Sequence, residues 1–344
     1  MVKAGILPSR PSPTQVLSGN GNPVRGVRVH CPPMRTVALV TAVAATGHDD
    51  DLAPLLDACA DAGLHARAVA WDDPTVNWGR FDTVLLRSPW DYTERLPEFL
   101  AWAERVDRAT TLLNPLNVVR WNTDKHYLAD LAAVGIPTVP TTFVEPDAEP
   151  MEALTRFLQA FADADEFVVK PTVSAGARDT QRYQRDQQFA VGNHIARLLD
   201  QDRSVMLQPY LSTVDAAGET ALVYLAGHFS HALRKGAQLP PGETARQAPM
   251  AAGDITAREP LPSELALAER ILAATTRLRQ LEAPLTYARI DLLPGPDGQP
   301  CLLELELTEP SLFFDQAPGS AARLAALLAA PPADATVRTR MDRA

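Results

Sequence analysis

From residue 36 onward the apolar positions of the chain switch period at regular intervals. TVALVTA (36–42) is a continuous apolar run, as a buried strand requires, whereas DLAPLLDACADAG (51–63) repeats its apolar positions every three or four residues and stops at a glycine, as a helix does. HARAVAW (65–71) predicts a second strand, and FDTVLLRSPWDY (81–92) a third that runs out into a loop. RLPEFLAWAERVDR (95–108) then reads as a helix and TTLLNP (110–115) as a fourth strand. This βαβ rhythm predicts a parallel sheet with ligands at the carboxyl ends of its strands. No glycine-rich dinucleotide fingerprint follows the first strand, where ATGHDD (45–50) stands instead. The loop Arg87-Ser88-Pro89-Trp90-Asp91-Tyr92 lies at such a carboxyl end. Two readings stand side by side: Arg87 grips a substrate carboxylate, or it pairs with Asp91 while Trp90 and Tyr92 pack against the next domain.

Farther along, the pattern becomes mixed. NVVRWNTDKHYLADLAAVGIP (117–137) predicts a helix capped by Asn122 or Thr123, running to about Val134 and ended by Gly135 and Pro137. Lys125 would then sit in its first turn, where the helix dipole disfavours a cation and a bound anion would explain it. EFVVKPTVSAGARDTQRY (166–183) gives strand, loop and strand, with Lys170 ending the apolar run and Ser174 and Gly176 in a small-residue loop whose amides could approach phosphate. It lacks the GK-Ser/Thr of a P-loop. A helix over 187–200, a strand VMLQPYLSTV (205–214) that stops at Pro209, and a hairpin turning at Ala226-Gly227 follow, with Arg234 and Lys235 at its far end. Residues 236–261, rich in Pro, Gly and Ala, predict a mobile loop, before an amphipathic helix over 263–281 and a last helix near 319–330.

Between those helices lies the most informative stretch, YARIDLLPGPDGQPCLLELELTEPSLFF (287–314). Two apolar runs flank Asp297-Gly298, a hairpin signal. If those two residues form the turn, Asp291 lies across from Glu304 and Arg289 across from Glu306, with Leu303, Leu305 and Leu307 on the other face. Pro294, Pro296 and Pro300 cannot donate to a ladder and invite a bulge. Three carboxylates and one guanidinium on one face call for further positive charge. Oxygen ligands of this kind suit Mg²⁺, completed by water and substrate phosphates, so the expectation is a magnesium-nucleotide site. Glu309 falls past the strand, beside Pro310, and reads as a substrate-side or structural residue.

Composition narrows the classes. The 344 residues are 46% hydrophobic and 22% charged, ordinary for a soluble protein of two or three subdomains. The formal charge of −10 argues against nucleic acid or a membrane surface as partner. Residues 1–33 carry four basic and no acidic side chains and predict a disordered extension, with Met34 as the natural start; the remainder then holds 28 basic and 42 acidic residues. Cys31, Cys59 and Cys301 follow no metal or redox spacing, which fits a reducing cytoplasm.

The order of a lysine at a helix start, a lysine before a small-residue loop, a Gln-Pro-Tyr hinge, a basic hairpin end and an acidic hairpin resembles the ATP-grasp superfamily, in its glutathione-synthetase-like branch. RWNTDKHYL, VVKPTVSAGARDT, YARIDLL and LLELELTEPSLF look most like a bacterial subgroup that includes O-ureido-serine cyclo-ligase. The resemblance implies an α/β chain with a parallel-sheet domain (34–118), two α+β subdomains that clasp ATP (119–205 and 206–335) and a tail (336–344). It implies that Lys125 and Lys170 hold the α- and β-phosphates, that the 172–180 loop closes over the γ-phosphate, and that Lys235 closes on the phosphates. Adenine would meet the hinge of Gln208, Tyr210 and Leu211, and Asp215 or Glu219 the ribose or the phosphate network. Asp291, Glu304 and Glu306 would carry Mg²⁺, Arg289 would steady the transferring phosphoryl group, and residues 87–92 and 308–314, Ser311 included, would line the substrate pocket. Most members show Glu-x-Asn where this chain has Glu304-Leu305-Glu306, which should tighten metal binding and tolerate Mn²⁺. Arg246-Gln247 stands as a remnant of a substrate-covering segment. The implied activity is ATP-dependent ligation of a small carboxylate to an amine through an acyl phosphate, intermolecular or cyclising, in an enzyme compatible with a homodimer. Its competitors are a small-molecule kinase and a nucleotide-binding module without turnover.

Overall fold

The computed structural model describes residues 34–239 and 254–330, so the expectations for 1–33, for Arg246-Gln247 and for the tail lie outside the described residues. The first layer follows the period switches. Strands β1 (Thr36–Thr41), β2 (His65–Ala70), β3 (Thr83–Ser88) and β4 (Thr111–Leu113) alternate with helices α1 (Leu52–Asp61) and α2 (Leu96–Ala109). The strands form a parallel sheet in the order β2-β1-β3-β4. β1 and β3 are buried along nearly their whole length, as strands covered on both faces must be.

Two short helices, α3 (Leu116–Asn122) and α4 (Tyr127–Ala133), lead to a second sheet built from β5 (Thr142–Val144), β6 (Glu166–Pro171), β7 (Gln181–Gln184) and β8 (Val205–Pro209), with helices α5 (Pro150–Ala160) and α6 (Gln188–Leu199). Its order is β5-β8-β6-β7, all antiparallel. Because β8 hydrogen-bonds within this sheet, the boundary expected at residue 205 falls inside an element that belongs to it. After α7 (Thr213–Ala217) comes a third, antiparallel sheet. Strands β9 (Glu219–Leu225), β10 (His228–Lys235) and β11 (Ile255–Ala257) precede α8 (Pro262–Arg279), and β12 (Tyr287–Pro294) with β13 (Pro300–Glu306) completes the order β11-β10-β9-β12-β13. The expected loop over 236–261 is thus corrected at its end: Ile255–Ala257 pairs with Leu233–Lys235. The last helix, α9 (Ser320–Ala329), returns to the first layer, where Leu324 and Leu328 share a core with Leu55 of α1 and Leu39 of β1.

Two local departures bear on the site. The expected single helix over 122–134 is broken, because the Asn122 side chain serves a distant strand instead of capping a helix. Its amide donates to the Leu305 carbonyl at 2.7 Å and accepts from the Leu307 N–H at 2.7 Å. Tyr127 accepts from the Leu305 N–H, and Leu302 pairs with the Pro137–Val139 backbone. The outer edge of β13 is thereby satisfied.

The acidic hairpin turns differently from the expectation yet keeps its pairs. Gly295 faces Gln299 across a three-residue Pro296-Asp297-Gly298 loop, with Gly298 at φ +75°. That turn alone would slip Asp291 and Glu304 out of opposition. A bulge takes up the extra residue, since Leu292 pairs with Leu302 and Asp291 with Glu304, leaving Leu303 between them. Beyond it Arg289 faces Glu306. Leu303 accordingly leaves the face of Leu305 and Leu307 and packs beside Val139, Val214 and Leu293.

Asn122→Ala should leave the two β13 backbone groups buried and unpaired, lowering stability by about 1–3 kcal/mol. Urea unfolding with an unaltered m-value should register it as a shift in midpoint.

Candidate active site

The hairpin face meets the end of β10. Arg289 donates from Nε to Asp291 Oδ1 and from Nη2 to Asp291 Oδ2, both at 3.0 Å, and Nη2 also reaches Glu306. Its Nη1 donates to the Ser311 carbonyl at 3.1 Å. Lys235 bridges Asp291 and Glu219, each at 2.7 Å. Gly218 makes that bridge fit. It sits at φ +74°, and a Cβ there would lie 2.4 Å from the Lys235 carbonyl oxygen, so only glycine lets β9 begin beside the end of β10.

Lysines arrive from the other side. Lys125 lies in the turn between α3 and α4, just ahead of the helix it was expected to occupy, and its N–H donates to the Thr172 carbonyl. Its Nζ reaches Glu304 at 3.0 Å and the Ser174 carbonyl at 2.7 Å, tying the 172–180 loop to the acidic strand. Gly176, Ala177 and Asp179 in that loop all have positive φ. Arg178 pairs with Glu94, and Val173 packs on the first layer's core. Lys170, 8% exposed at the end of β6, makes no hydrogen bond or ion pair among the described residues. Burial lowers its pKa, Lys125 and Lys235 add to that effect, and Glu304 and Glu219 oppose it. A buried charge without a partner is costly to keep.

The hinge holds a separate cluster. Gln208 donates to Thr141 Oγ1 at 2.8 Å, and the Tyr210 N–H is taken by the Glu166 carbonyl. Arg182 stacks on the Tyr210 ring at 3.6 Å while bridging Glu166 and Asp215, and Tyr210 Oη donates to Asp215. Leu211 packs partly buried nearby. Asp215 and Glu219, which sequence reading left undivided, are thus separated: Glu219 joins the Lys235 network and Asp215 the hinge.

On the first layer, the expected alternative pairing of Arg87 with Asp91 does not form. Arg87, fully enclosed, donates to Asp51 at 3.3 Å, and its Nε and Nη1 have no partner. Asp91 instead accepts from Trp71 Nε1 and Arg95, and Ser88 donates to Thr41. Asp51, missed in the sequence, accepts the N–H groups of Leu312, Phe313 and Phe314 and so orders the loop that follows β13. Trp90 and Tyr92 reach that loop too, through the carbonyl and carboxyl of Glu309. Asn114, also missed, fastens the layers by donating to the Tyr287 and Leu307 carbonyls. Neither role carries a sequence signal, because the backbone groups that Asp51 and Asn114 hold lie more than 150 positions away.

Charge crowding sets the titration. Burial would raise Asp291 and Glu304, but Arg289 and Lys235 hold the first below the usual carboxylate range, and Lys125 and Lys170 the second. Glu306 has fewer cations: burial pushes it up to about 8, with Glu304, Asp291 and Glu309 adding to the rise against the pull of Arg289. Among the described residues no three acidic or imidazole groups converge as a cation cage, since Asp291, Glu304 and Glu306 are each turned to a basic side chain.

Two antiparallel sheets that bring lysines and an acidic hairpin together, behind a parallel-sheet layer, define an ATP-grasp carboxylate–amine ligase. The relatives narrow this class. A family model described as the N-terminal domain of D-cycloserine synthetase DcsG matches residues 37–114. The cycloserine biosynthesis protein DcsG of Streptomyces lavendulae is 44% identical over 296 residues, 86% of this chain and 98% of that one. The crystal structure of D-cycloserine synthetase DcsG superposes with a TM-score of 0.82 at 44% identity, over the same shares of the two chains. The ATP-grasp ligase PsnB, complexed with a precursor peptide and AMPPNP, shares the fold at a TM-score of 0.55 and 19% identity, over 85% of this chain and 96% of its own. The chain belongs to the D-cycloserine synthetase DcsG family.

Lys235→Met should strand Glu219 and leave Asp291 to Arg289 alone, destabilising by about 3–5 kcal/mol. Lys170→Met breaks no pair, so thermal unfolding should show stability held or raised while the stabilising shift on adding Mg-ATP disappears. In metal-free buffer the folded Glu306 keeps a proton that the unfolded chain releases between its ordinary 4.5 and about 8, so stability falls as pH rises through that window. Glu306→Gln should flatten the fall in a melting-temperature series.

Proposed function

We propose that the protein activates a small carboxylate with ATP and joins it to a nitrogen nucleophile, releasing ADP and phosphate. The observation that carries this reading is the buried, unpartnered Lys170 beside the network of Lys125, Glu304, Asp291 and Lys235. Lys170 and Lys125 are the grip for the α- and β-phosphates, and Lys235 closes on the chain of phosphates from the β10 end. Ser174 and Gly176, in the loop that Lys125 already holds, cover the γ-phosphate. Gln208, Tyr210 and Leu211 take adenine, and Asp215, on the hinge side, takes the ribose once Arg182 yields it. The all-oxygen donor set of Asp291, Glu304 and Glu306 would hold Mg²⁺ once arriving phosphates draw Lys125 and Lys235 off these carboxylates. Mg²⁺ bound there supplies neutralisation of phosphate charge, and Mn²⁺ is tolerated by the same ligands.

The residues then divide the chemistry. Arg289, fixed in its plane by Asp291, steadies the phosphoryl group as the substrate carboxylate attacks it and ADP leaves. The acyl phosphate so formed loses phosphate to the nucleophile. Trp90, Tyr92 and Ser311 line the substrate side. Arg87 serves that side by holding Asp51, which orders the loop after β13. Ser88 and Asp91 are given to the frame of the loop. The relatives named for cycloserine support an amino acid as the carboxylate and an attack within one molecule; a cytoplasmic enzyme that acts alone or as a homodimer completes the proposal. No described helix is long and apolar enough to cross a membrane.

ADP release measured with O-ureido-serine and a panel of amino acids should show substrate-stimulated turnover; tight Mg-ATP binding without it would sink the ligase reading in favour of a binding module, and a phosphorylated substrate as end product in favour of a kinase. Glu304→Gln should abolish turnover with the fold intact by circular dichroism.

A further inference from the structure

Glu309 stands apart from the other carboxylates of the site. Asp291, Glu304, Glu306 and Glu219 each face a lysine or arginine, whereas Glu309 forms no ion pair among the described residues. It is held by aromatic donors instead. The enclosed Tyr92 hydroxyl donates to its carboxyl, and Trp90 Nε1 donates to its carbonyl at 3.2 Å. Glu309 is only partly buried as a residue, and its contacts are with these two substrate-loop side chains. The charged groups close enough to act on it are Lys125, Arg289, Glu304 and Glu306. Asp291, Glu304 and Glu306 are occupied with cations, so a carboxylate oriented by a neutral donor is the group left to accept from a nitrogen that brings its own hydrogens.

Resting on the ligase reading, we propose that Glu309 is the acceptor for the attacking nitrogen, with Tyr92 as its positioning residue. The nitrogen lone pair forms the bond to the acyl carbon. The carbon–oxygen bond to phosphate breaks, its electron pair leaves on phosphate, and the proton shed by the nitrogen passes to the Glu309 carboxylate. Burial lifts Glu309 to about 7, with Glu304 adding to the rise and Tyr92, Lys125 and Arg289 opposing it, which suits a proton acceptor working near neutrality.

The full chain would be assayed with Mg-ATP and O-ureido-serine, counting product per ADP, with hydroxylamine added to trap any activated carboxylate as its hydroxamate. Glu309→Gln should lower product per ADP by roughly 10²-fold while hydroxamate accumulates, and Glu309→Asp should recover part of the loss. Tyr92→Phe removes a hydrogen bond that favours the ionised carboxylate, so the acid limb of product formation should move to higher pH. An unchanged product-to-ADP ratio in Glu309→Gln, or an unmoved acid limb in Tyr92→Phe, overturns the assignment. Equal loss of hydroxamate and product would overturn it as well, placing Glu309 in the nucleotide half-reaction. If the unaltered protein releases no ADP with substrate, the ligase reading fails and takes the assignment with it.

Discussion

The structure is organised around charge that water cannot reach. Asp291 is 1% exposed and Arg289 and Lys235 are nearly as enclosed, yet together with Glu219 and Glu306 they are mutually paired. An isolated charge in that position would be very costly, so each group depends on the backbone that presents its partner. The Gly218 approach, the β12–β13 register and the Asn122 clasp on β13 all serve that presentation. Such networks are weak devices for stability and strong ones for geometry, since a partner displaced by an ångström leaves a charge unmatched.

The same network explains why the two kinds of lysine differ. Lys235 is saturated by carboxylates that the fold supplies, and burial, which alone would lower its pKa, is outweighed by Asp291 and Glu219. Lys170 lacks such partners and titrates in the opposite direction. One cation is matched by carboxylates of the fold, and the other has no partner of its own. Lys125 is intermediate: it holds Glu304 and also the Ser174 carbonyl, so the small-residue loop is fastened to the acidic strand by a single side chain.

Much of this was legible in the sequence where the signal is local. Period switches marked the parallel layer, and alternation around Asp297-Gly298 brought Arg289, Asp291, Glu304 and Glu306 onto one face. That pairing came out right although the turn has three residues and not two, because the Leu303 bulge cancels the difference. What local patterns could not reveal were the long-range recruitments. Asn122 looks like a helix cap until a strand some 180 residues later claims its amide. Asp51 reads as a helix-start acid, yet its oxygens are spent on Leu312, Phe313 and Phe314. Arg87 looked free to meet Asp91, four positions on, but is drawn to Asp51. Glu309 reads in the sequence as substrate-side or structural, and that its carboxyl has a tyrosine and no cation as partner emerges only from the folded arrangement.

The return of α9 to the first layer bears on how the chain is made. Val37, Leu39 and Leu85 of the parallel sheet share their core with Leu312, Phe314, Leu324 and Leu328, which follow them far along the chain. During synthesis one apolar face of those strands therefore has no permanent cover until the segment around residues 312–328 has been made. The parallel layer thus matures later than the making of its own strands, and its open apolar face is aggregation-prone in the interval.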